Sequence, residues 1–282
     1  MSCGQIALQR AGFKNFTYYA SEINASAIAV TMANYPNTIQ LGDITAIKAA
    51  DLPHIDLLIG GSPCQGFSMA GTHLNFEHSE SKLFFEYCRL VDECKPDFFL
   101  LENVCMKKEW AEIITSRLGV SPIKIDSARL SAGHRKRLYW TNLPVTGLPP
   151  EKKIFLRDIW DTTATRENIY GRMKLKKPGT LAYRNTWGHV KTLDEKANCI
   201  TARTPSITNT SSTNVKLDDV TYAKLSIVEY ERLQTVPDGY TKSARMSERF
   251  RMLGNGWTVD IIAWIFSHIE WIDEKEITNA IS

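Results

Sequence analysis

The 282-residue chain contains no Gly-x-Gly-x-x-Gly run, no cysteines at metal-ligand spacing, no internal repeat and no apolar stretch long enough to cross a membrane. The first absence excludes the phosphate-cradling turn of nucleotide-dependent dehydrogenases. The second excludes a zinc site or a disulfide framework. Cys3, Cys64, Cys88, Cys94, Cys105 and Cys199 are scattered, and in a chain of this size they read as reduced thiols of an intracellular protein. The short apolar runs predict no membrane helix, and no secretory signal pattern opens the sequence. Hydrophobic residues at 43% are enough for one large domain or two unequal ones.

Charge excess is also small, at +3, but it conceals an asymmetry. Glu151–Arg203 holds twelve Lys/Arg against six Asp/Glu, whereas the rest of the chain holds 22 against 25. A basic segment on a slightly acidic body suits a polyanionic partner, although a solvated charged surface has the same composition.

Strand and helix periods alternate up to residues 144–150, where "NLPVTGLPPEKK" breaks them with prolines and glycine. "YYASE" (Tyr18–Glu22), "TIQLGDI", "HIDLLIGG" and "DFFLLEN" read as strands, and "NASAIAVTMANY", "SESKLFFEYCRLVDECK" and "KKEWAEIITSRLG" as helices. "IKIDSARL" and "KRLYWTN" read as strands joined by a turn. The alternation predicts an open, mostly parallel α/β sheet covered on both faces. Ligands of such sheets bind beyond the carboxyl ends of the strands, and Glu22, Asp43, Cys64 and Glu102 all fall there. Beyond the break, a basic, aromatic and Gly-containing stretch lacks periodicity. A helix capped by Ser226 follows, then a Gly-Asn-Gly turn and an apolar closing helix.

In this order the motifs resemble those of the DNA (cytosine-5)-methyltransferases over nearly the whole chain. The segments are "YASEIN", "GDI", "GGSPCQGFS", "ENV", "HRKRLYW", "SIVEYERLQTVPDGY" and "GNGWTV", and "SKLFFEYCRLV" leans toward the de novo-like branch. The resemblance implies a Rossmann-like class I methyltransferase sheet with a small target-recognition domain. It places a catalytic and cofactor-binding domain at 1–145, a target-recognition region at 146–224 and a return to the catalytic domain at 225–282. It implies methyl transfer from S-adenosylmethionine to carbon 5 of cytosine in double-stranded DNA, as in DNA methylation and restriction-modification. The expected location is the cytoplasm of a bacterium, or of a cell carrying a phage, and the nucleoid when bound to DNA.

Carbon 5 of cytosine is a poor nucleophile. A thiolate adding to carbon 6 makes a covalent enamine, whose carbon 5 then attacks the sulfonium methyl group. The resemblance makes Cys64 that thiolate, with Pro63 setting the chain direction before it. From the residues alone, a buried structural cysteine is the alternative. Glu102 would bond or protonate ring nitrogen 3; a salt bridge or a cap for the next helix is its alternative. Arg137 would hold the cytosine carbonyl oxygen with Arg135 beside it, the two sharing one face of a strand, unless "RKR" is only a basic surface strand. Gly133 stands where many bacterial relatives carry glutamine. The target base must flip out of the duplex, beneath a mobile loop over "GFSMAGTHLNFEHSES". DNA contacts are expected from Gln65, Ser68, Arg172, Lys174, Lys176, Lys177 and Arg203.

For the cofactor, the resemblance gives Glu22 the ribose hydroxyls and Asp43 the adenine amino group. Ile23 and Ile44 sandwich the adenine, and Pro63, Leu83, Asn255 and Trp257 complete the site. Ordinary strand-end acids are the alternative for Glu22 and Asp43. Of the family's first strand and Phe-x-Gly-x-Gly turn, only Ser2, Cys3 and Gly4 are represented. "DEKEITNAIS" offers no replacement, so the sheet is expected to carry a gap at its centre, about twice the ordinary strand spacing. The chain then reads as an amino-terminal truncation, or another polypeptide supplies the strand. Two other readings compete: a catalytically impaired DNA-binding remnant or half of a split methyltransferase, and an RNA cytosine methyltransferase of the same fold.

Overall fold

Runs of Leu, Ile, Val, Phe and Tyr that are apolar on both faces form strands covered on both sides. The computed structural model describes residues 1–61, 79–165, 189–203, 212–218, 222–269 and 279–282. Its strands are β1 (Thr17–Ala20), β2 (Ile39–Gln40), β3 (Leu57–Gly61), β4 (Phe98–Val104), β5 (Ile123–Asp126), β6 (Lys136–Thr141), β7 (His189–Lys191), β8 (Thr213–Lys216), β9 (Tyr222–Lys224) and β10 (Asn279–Ile281). The helices are α1 (Cys3–Arg10), α2 (Ala25–Asn34), α3 (Ser79–Cys94), α4 (Lys108–Leu118), α5 (Leu156–Ile159), α6 (Ile227–Leu233), α7 (Met246–Asn255) and α8 (Val259–Phe266). Two compact units result. One comprises 2–126, 136–148 and 262–282; the other comprises Met1, 127–135 and 149–261.

The first unit holds a seven-stranded sheet in the order β2-β1-β10-β3-β4-β6-β5. Neighbours from β2 to β4 pair in parallel, and β6 runs antiparallel to both β4 and β5. The expected central gap is absent. Asn279–Ile281 lies between β1 and β3, parallel to both, in register Tyr18↔Ala280 and Ala280↔Leu57. Three residues are too few for a period to show, so "NAIS" carries no strand signal of its own. Pairing on both sides provides the backbone partners whose loss the gap would have implied. Leu58, Phe84, Tyr87, Leu101, Ile114, Trp140 and Ile281 form the core of this unit. Each such side chain, fully buried, contributes roughly 1.5–3 kcal/mol. The Trp140 indole donates to Thr115 Oγ1 at 3.0 Å, so its one polar atom is satisfied on α4. Gly119, with φ at 72°, ends α4 as the sequence indicates.

The second unit contains the small sheet β7-β8-β9 and most of the closing helices. Helix α6 starts in a capping box. Ser226 Oγ accepts from the Glu229 amide at 3.2 Å, and Glu229 Oε2 accepts from the Ser226 amide at 2.7 Å. Buried Glu231 accepts from the Thr241 amide and from Arg249, tying α6 to the Pro-Asp-Gly turn and α7. The "GNG" expected as a turn is instead the end of α7: Gly254 and Asn255 are helical and Gly256 is the cap. A Cβ on Gly254 would lie 2.1 Å from the Thr201 carbonyl carbon, so only glycine lets those two backbones approach. Among the described residues no helix is long and apolar enough to cross a membrane.

Candidate active site

Because β2, β1, β10, β3 and β4 run in parallel, their carboxyl ends share one edge of the sheet. Glu22 lies just past β1. Its Oε1 accepts from the Ile23 amide at 2.9 Å and the Asn24 amide at 2.8 Å, while the Ile23 side chain is 75% exposed. Asn24 then caps α2 by accepting from the Ala27 amide. Asp43 lies past β2 and caps the short 3-10 turn Ile44–Ala46, accepting from the Thr45 amide and hydroxyl. These bonds hold its carboxyl below the ordinary carboxylate range. Each acid is therefore fixed through one oxygen. Two such acids on adjacent strand ends, beside an exposed isoleucine, fit a polar, flat-faced ligand such as the adenosine of S-adenosylmethionine. Ile44 and Leu83 are both half-buried. Ser2 donates through Oγ to Thr31 Oγ1 at 3.1 Å, and Cys3 and Gly4 are buried at the start of α1.

Glu102 and Arg137 come together. Glu102 Oε1 and Arg137 Nε are 2.9 Å apart, with side chains 10% and 13% exposed. Register explains the meeting: Glu102 opposes Tyr139 and Val104 opposes Arg137, which makes Glu102 and Arg137 diagonal neighbours on one face. On the other side of β4, Gly61 at the end of β3 is the register partner of Glu102. Pro63, Cys64, Gln65 and Ser68 follow that strand but lie outside the described residues, as do Arg172, Lys174, Lys176 and Lys177 and the loop expected to close over the base, except that its last residues, Ser79, Glu80 and Ser81, are the first turn of α3. Of the described cysteines, burial pushes the Cys88 thiol up to about 12 and raises that of Cys94, which makes both poor thiolates.

Arg135 departs from expectation. Strand β6 begins at Lys136, so Arg135 and Arg137 do not alternate on one strand. Arg135 is buried in the other unit, where its guanidinium donates to the carbonyls of Ile200 at 3.3 Å and Gly254 at 3.2 Å. Gly133, the departure from the bacterial pattern, is buried too. A Cβ there would sit 2.9 Å from Leu233 Cδ2, so Leu233 fills the space a side chain would need. In the same unit Asn255 and Arg203 are exposed and Trp257 is half-buried. Sequence reasoning missed Gln234. Its amide nitrogen donates to the carbonyls of Leu253 at 2.6 Å and Gly256 at 3.0 Å, and its oxygen accepts from Thr258 at 2.8 Å. It thus fixes the backbone around Asn255 and Trp257. Its place in "ERLQTVP" was the available signal.

Comparison with known proteins agrees with this architecture. Solved structures share the fold. The S. pombe Dnmt2 methyltransferase superposes with a TM-score of 0.73 at 17% identity, covering 94% of each chain. A protein described as a putative DNA modification methyltransferase encoded within an E. coli prophage gives 0.64 at 19% identity over 95% of each. Type II methyltransferase M.NlaIV of Neisseria lactamica is 45% identical over 86 residues, 30% of this chain and 20% of its own length. Orphan methyltransferase M.SPRI of Bacillus phage SPR is 43% identical over 86 residues, with the same coverage. The matched stretch thus spans a fifth of those relatives. The profile of the C-5 cytosine-specific DNA methylases matches residues 2–109 and 149–271, and S-adenosylmethionine is the methyl donor of that family. By this match over most of its length, the chain belongs to the C-5 cytosine-specific DNA methylase family.

Proposed function

We propose that the protein methylates carbon 5 of cytosine in double-stranded DNA through a covalent intermediate on Cys64. The observation that carries this reading is the Glu102–Arg137 pair across β4 and β6, with Glu102 on the strand that neighbours the one leading to Cys64. Cys64 is three residues beyond Gly61, so chain length alone keeps its Cα within about 11 Å of that strand end. Cys64 adds to carbon 6 of the flipped base. Glu102 holds ring nitrogen 3 and draws electron density from carbon 6, and Arg137 holds the carbonyl oxygen. Pro63 sets the direction of the nucleophile loop, and Gln65 and Ser68 face the DNA.

S-adenosylmethionine, when bound, supplies an electrophilic methyl group. Glu22 and Ile23 hold its ribose and one adenine face. Asp43 and Ile44 hold the adenine amino group and the other face. Ser2, Cys3, Gly4, Leu83, Asn255 and Trp257 complete the site. Arg135 serves by position, tying the backbone at Gly254 to that at Ile200. Residues 146–224 read the target: Arg172, Lys174, Lys176, Lys177 and Arg203 contact phosphates and base edges of a short site. The expected functional division at 145 and 224 is retained on this reading. The family description names DNA, which weighs against an RNA substrate.

The test is methyl transfer from labelled S-adenosylmethionine to duplex DNA of mixed sequence and to transfer RNA. Label at carbon 5 of cytosine in the duplex is expected. Label in the RNA alone, or in neither, contradicts the proposal.

A further inference from the structure

One interior strand of the main sheet, β10, is made of residues that the family profile does not reach. That profile ends at residue 271, whereas β10 is Asn279–Ile281. The strand is firmly seated. Asp56 donates its amide to the Asn279 carbonyl at 3.1 Å, and its carboxylate accepts from the Asn279 amide at 2.7 Å. The Asn279 side chain donates to the His54 carbonyl at 2.9 Å. Ala280 and Ile281 are 0% and 2% exposed. At the far end, the Ser282 amide donates to the Tyr19 carbonyl at 3.0 Å, and the Ser21 amide donates to the Ser282 carbonyl at 2.6 Å. Ser282 is therefore bonded to the residue immediately before Glu22.

Strand order gives this position a chemical meaning. β10 separates β1, which leads to Glu22, from β3, which leads to Cys64. Strands are about 4.8 Å apart, so the ends of β1 and β3 lie about twice that distance from one another. A ligand held at Glu22 and presenting a group toward the end of β3 must cross the end of β10. Helix α1 begins over the same place: a Cβ on Gly4 would lie 2.3 Å from the Tyr18 hydroxyl on β1 and 2.4 Å from Ile59 Cδ1 on β3. Gly4 thus lets the start of α1 approach side chains of β1 and β3, the two strands that flank β10.

We propose that Ser282 is a cofactor-binding residue of this chain and that β10 is the strand that carries the cofactor site. The amino-acid portion of S-adenosylmethionine crosses above Ser282 between Glu22 and the end of β3. Ser282 also positions the Ser21–Glu22 turn through the two backbone bonds. This rests on the cofactor assignment made above.

The experiment combines amide exchange by NMR with calorimetric titration of S-adenosylmethionine. In the unaltered chain, the Ser282 amide is expected to exchange slowly and to slow further on cofactor binding. Ile281→Asp puts an unpaired carboxylate in the core and is expected to abolish cofactor binding, whereas Ile281→Val retains it. With Ser282→Ala as the control for the lost hydroxyl, Ser282→Pro removes the amide that bonds Tyr19. It is expected to keep a cooperative melt and to weaken cofactor binding about tenfold. Unprotected exchange at Ser282 in the unaltered chain, or unchanged affinity in Ser282→Pro, overturns the proposal. Failure of the cofactor assignment reads differently. The unaltered chain then binds no S-adenosylmethionine although Ser282 is protected, and that result removes the ligand role of Ser282.

Discussion

Arg137 Nε stands 2.9 Å from Glu102 Oε1, across the antiparallel pairing of β4 and β6. Both side chains are mostly withdrawn from water, so neither charge has bulk solvent as a substitute for the other. Arg137→Ala leaves a buried carboxylate without its partner. A stability loss of about 3–5 kcal/mol is the usual scale for such a break, seen as a lower melting temperature. Glu102→Gln keeps the shape, removes the acid and is expected to lose methyl transfer while still binding DNA. A Glu102→Gln protein of undiminished activity contradicts the role given to this pair.

Asp43 offers a test of the adenine site. Asp43→Asn keeps an oxygen for the Thr45 amide but can place a donor where the adenine amino group needs an acceptor. Weakening of S-adenosylmethionine binding by about tenfold is expected. The sign of the pH effect follows from the bonds to Thr45, which depress the folded-state pKa. The charged form, and any stability linked to it, is present above the unfolded value of about 3.9 and is lost only as pH falls through the lower folded value. Wild-type and Asp43→Asn affinities measured at pH 5 and 7 should therefore differ by the same factor. A difference that vanishes at pH 5 contradicts this assignment.

Gln234 and Arg135 act on the backbone that carries Asn255 and Trp257. Gln234→Ala removes three side-chain bonds and leaves the carbonyls of Leu253 and Gly256 without that donor. A cost of about 1–3 kcal/mol per unsatisfied group sets the scale, read as a drop in melting temperature. Arg135→Lys is not expected to restore Arg135→Ala, because one ammonium does not reproduce the guanidinium fork reaching Ile200 and Gly254. Full rescue by lysine contradicts the geometric argument.

The basic segment is tested by salt. Replacing Lys174, Lys176 and Lys177 together with alanine should weaken DNA binding and reduce the slope of log affinity against log salt by up to about 2.7, near 0.9 for each phosphate no longer neutralised. An unchanged slope shows a solvated surface instead.

Much of this architecture is legible in the sequence because the period-2 and period-3.6 patterns of the first half are uninterrupted. Strands β3 and β4 and helices α3 and α4 fall where the pattern puts them. Two features are not legible. Arg135 has the spacing of a strand residue, but the strand starts one residue later, and only the distant carbonyls of Ile200 and Gly254 reveal its use. Strand β10 is hidden for another reason. A three-residue strand has no measurable period, and its place is set by the facing edges of β1 and β3 rather than by anything local in "NAIS". The acids proposed for the site, Glu22, Asp43 and Glu102, are visible because each lies at the end of a strand that the sequence predicts. Their partners are not, because hydrogen bonds and register across strands leave no mark in one sequence.

The measurement that bears most directly on the central claim is covalent trapping on duplex DNA containing 5-fluorocytosine, with S-adenosylmethionine present. Fluorine at carbon 5 blocks the final elimination, so the enzyme that attacked carbon 6 stays attached to the base. Peptide mapping of the adduct by mass spectrometry is expected to find the DNA on Cys64, and Cys64→Ser is expected to form no adduct while retaining DNA affinity. An adduct on Cys3, Cys88, Cys94, Cys105 or Cys199, or an adduct that persists in Cys64→Ser, contradicts the account.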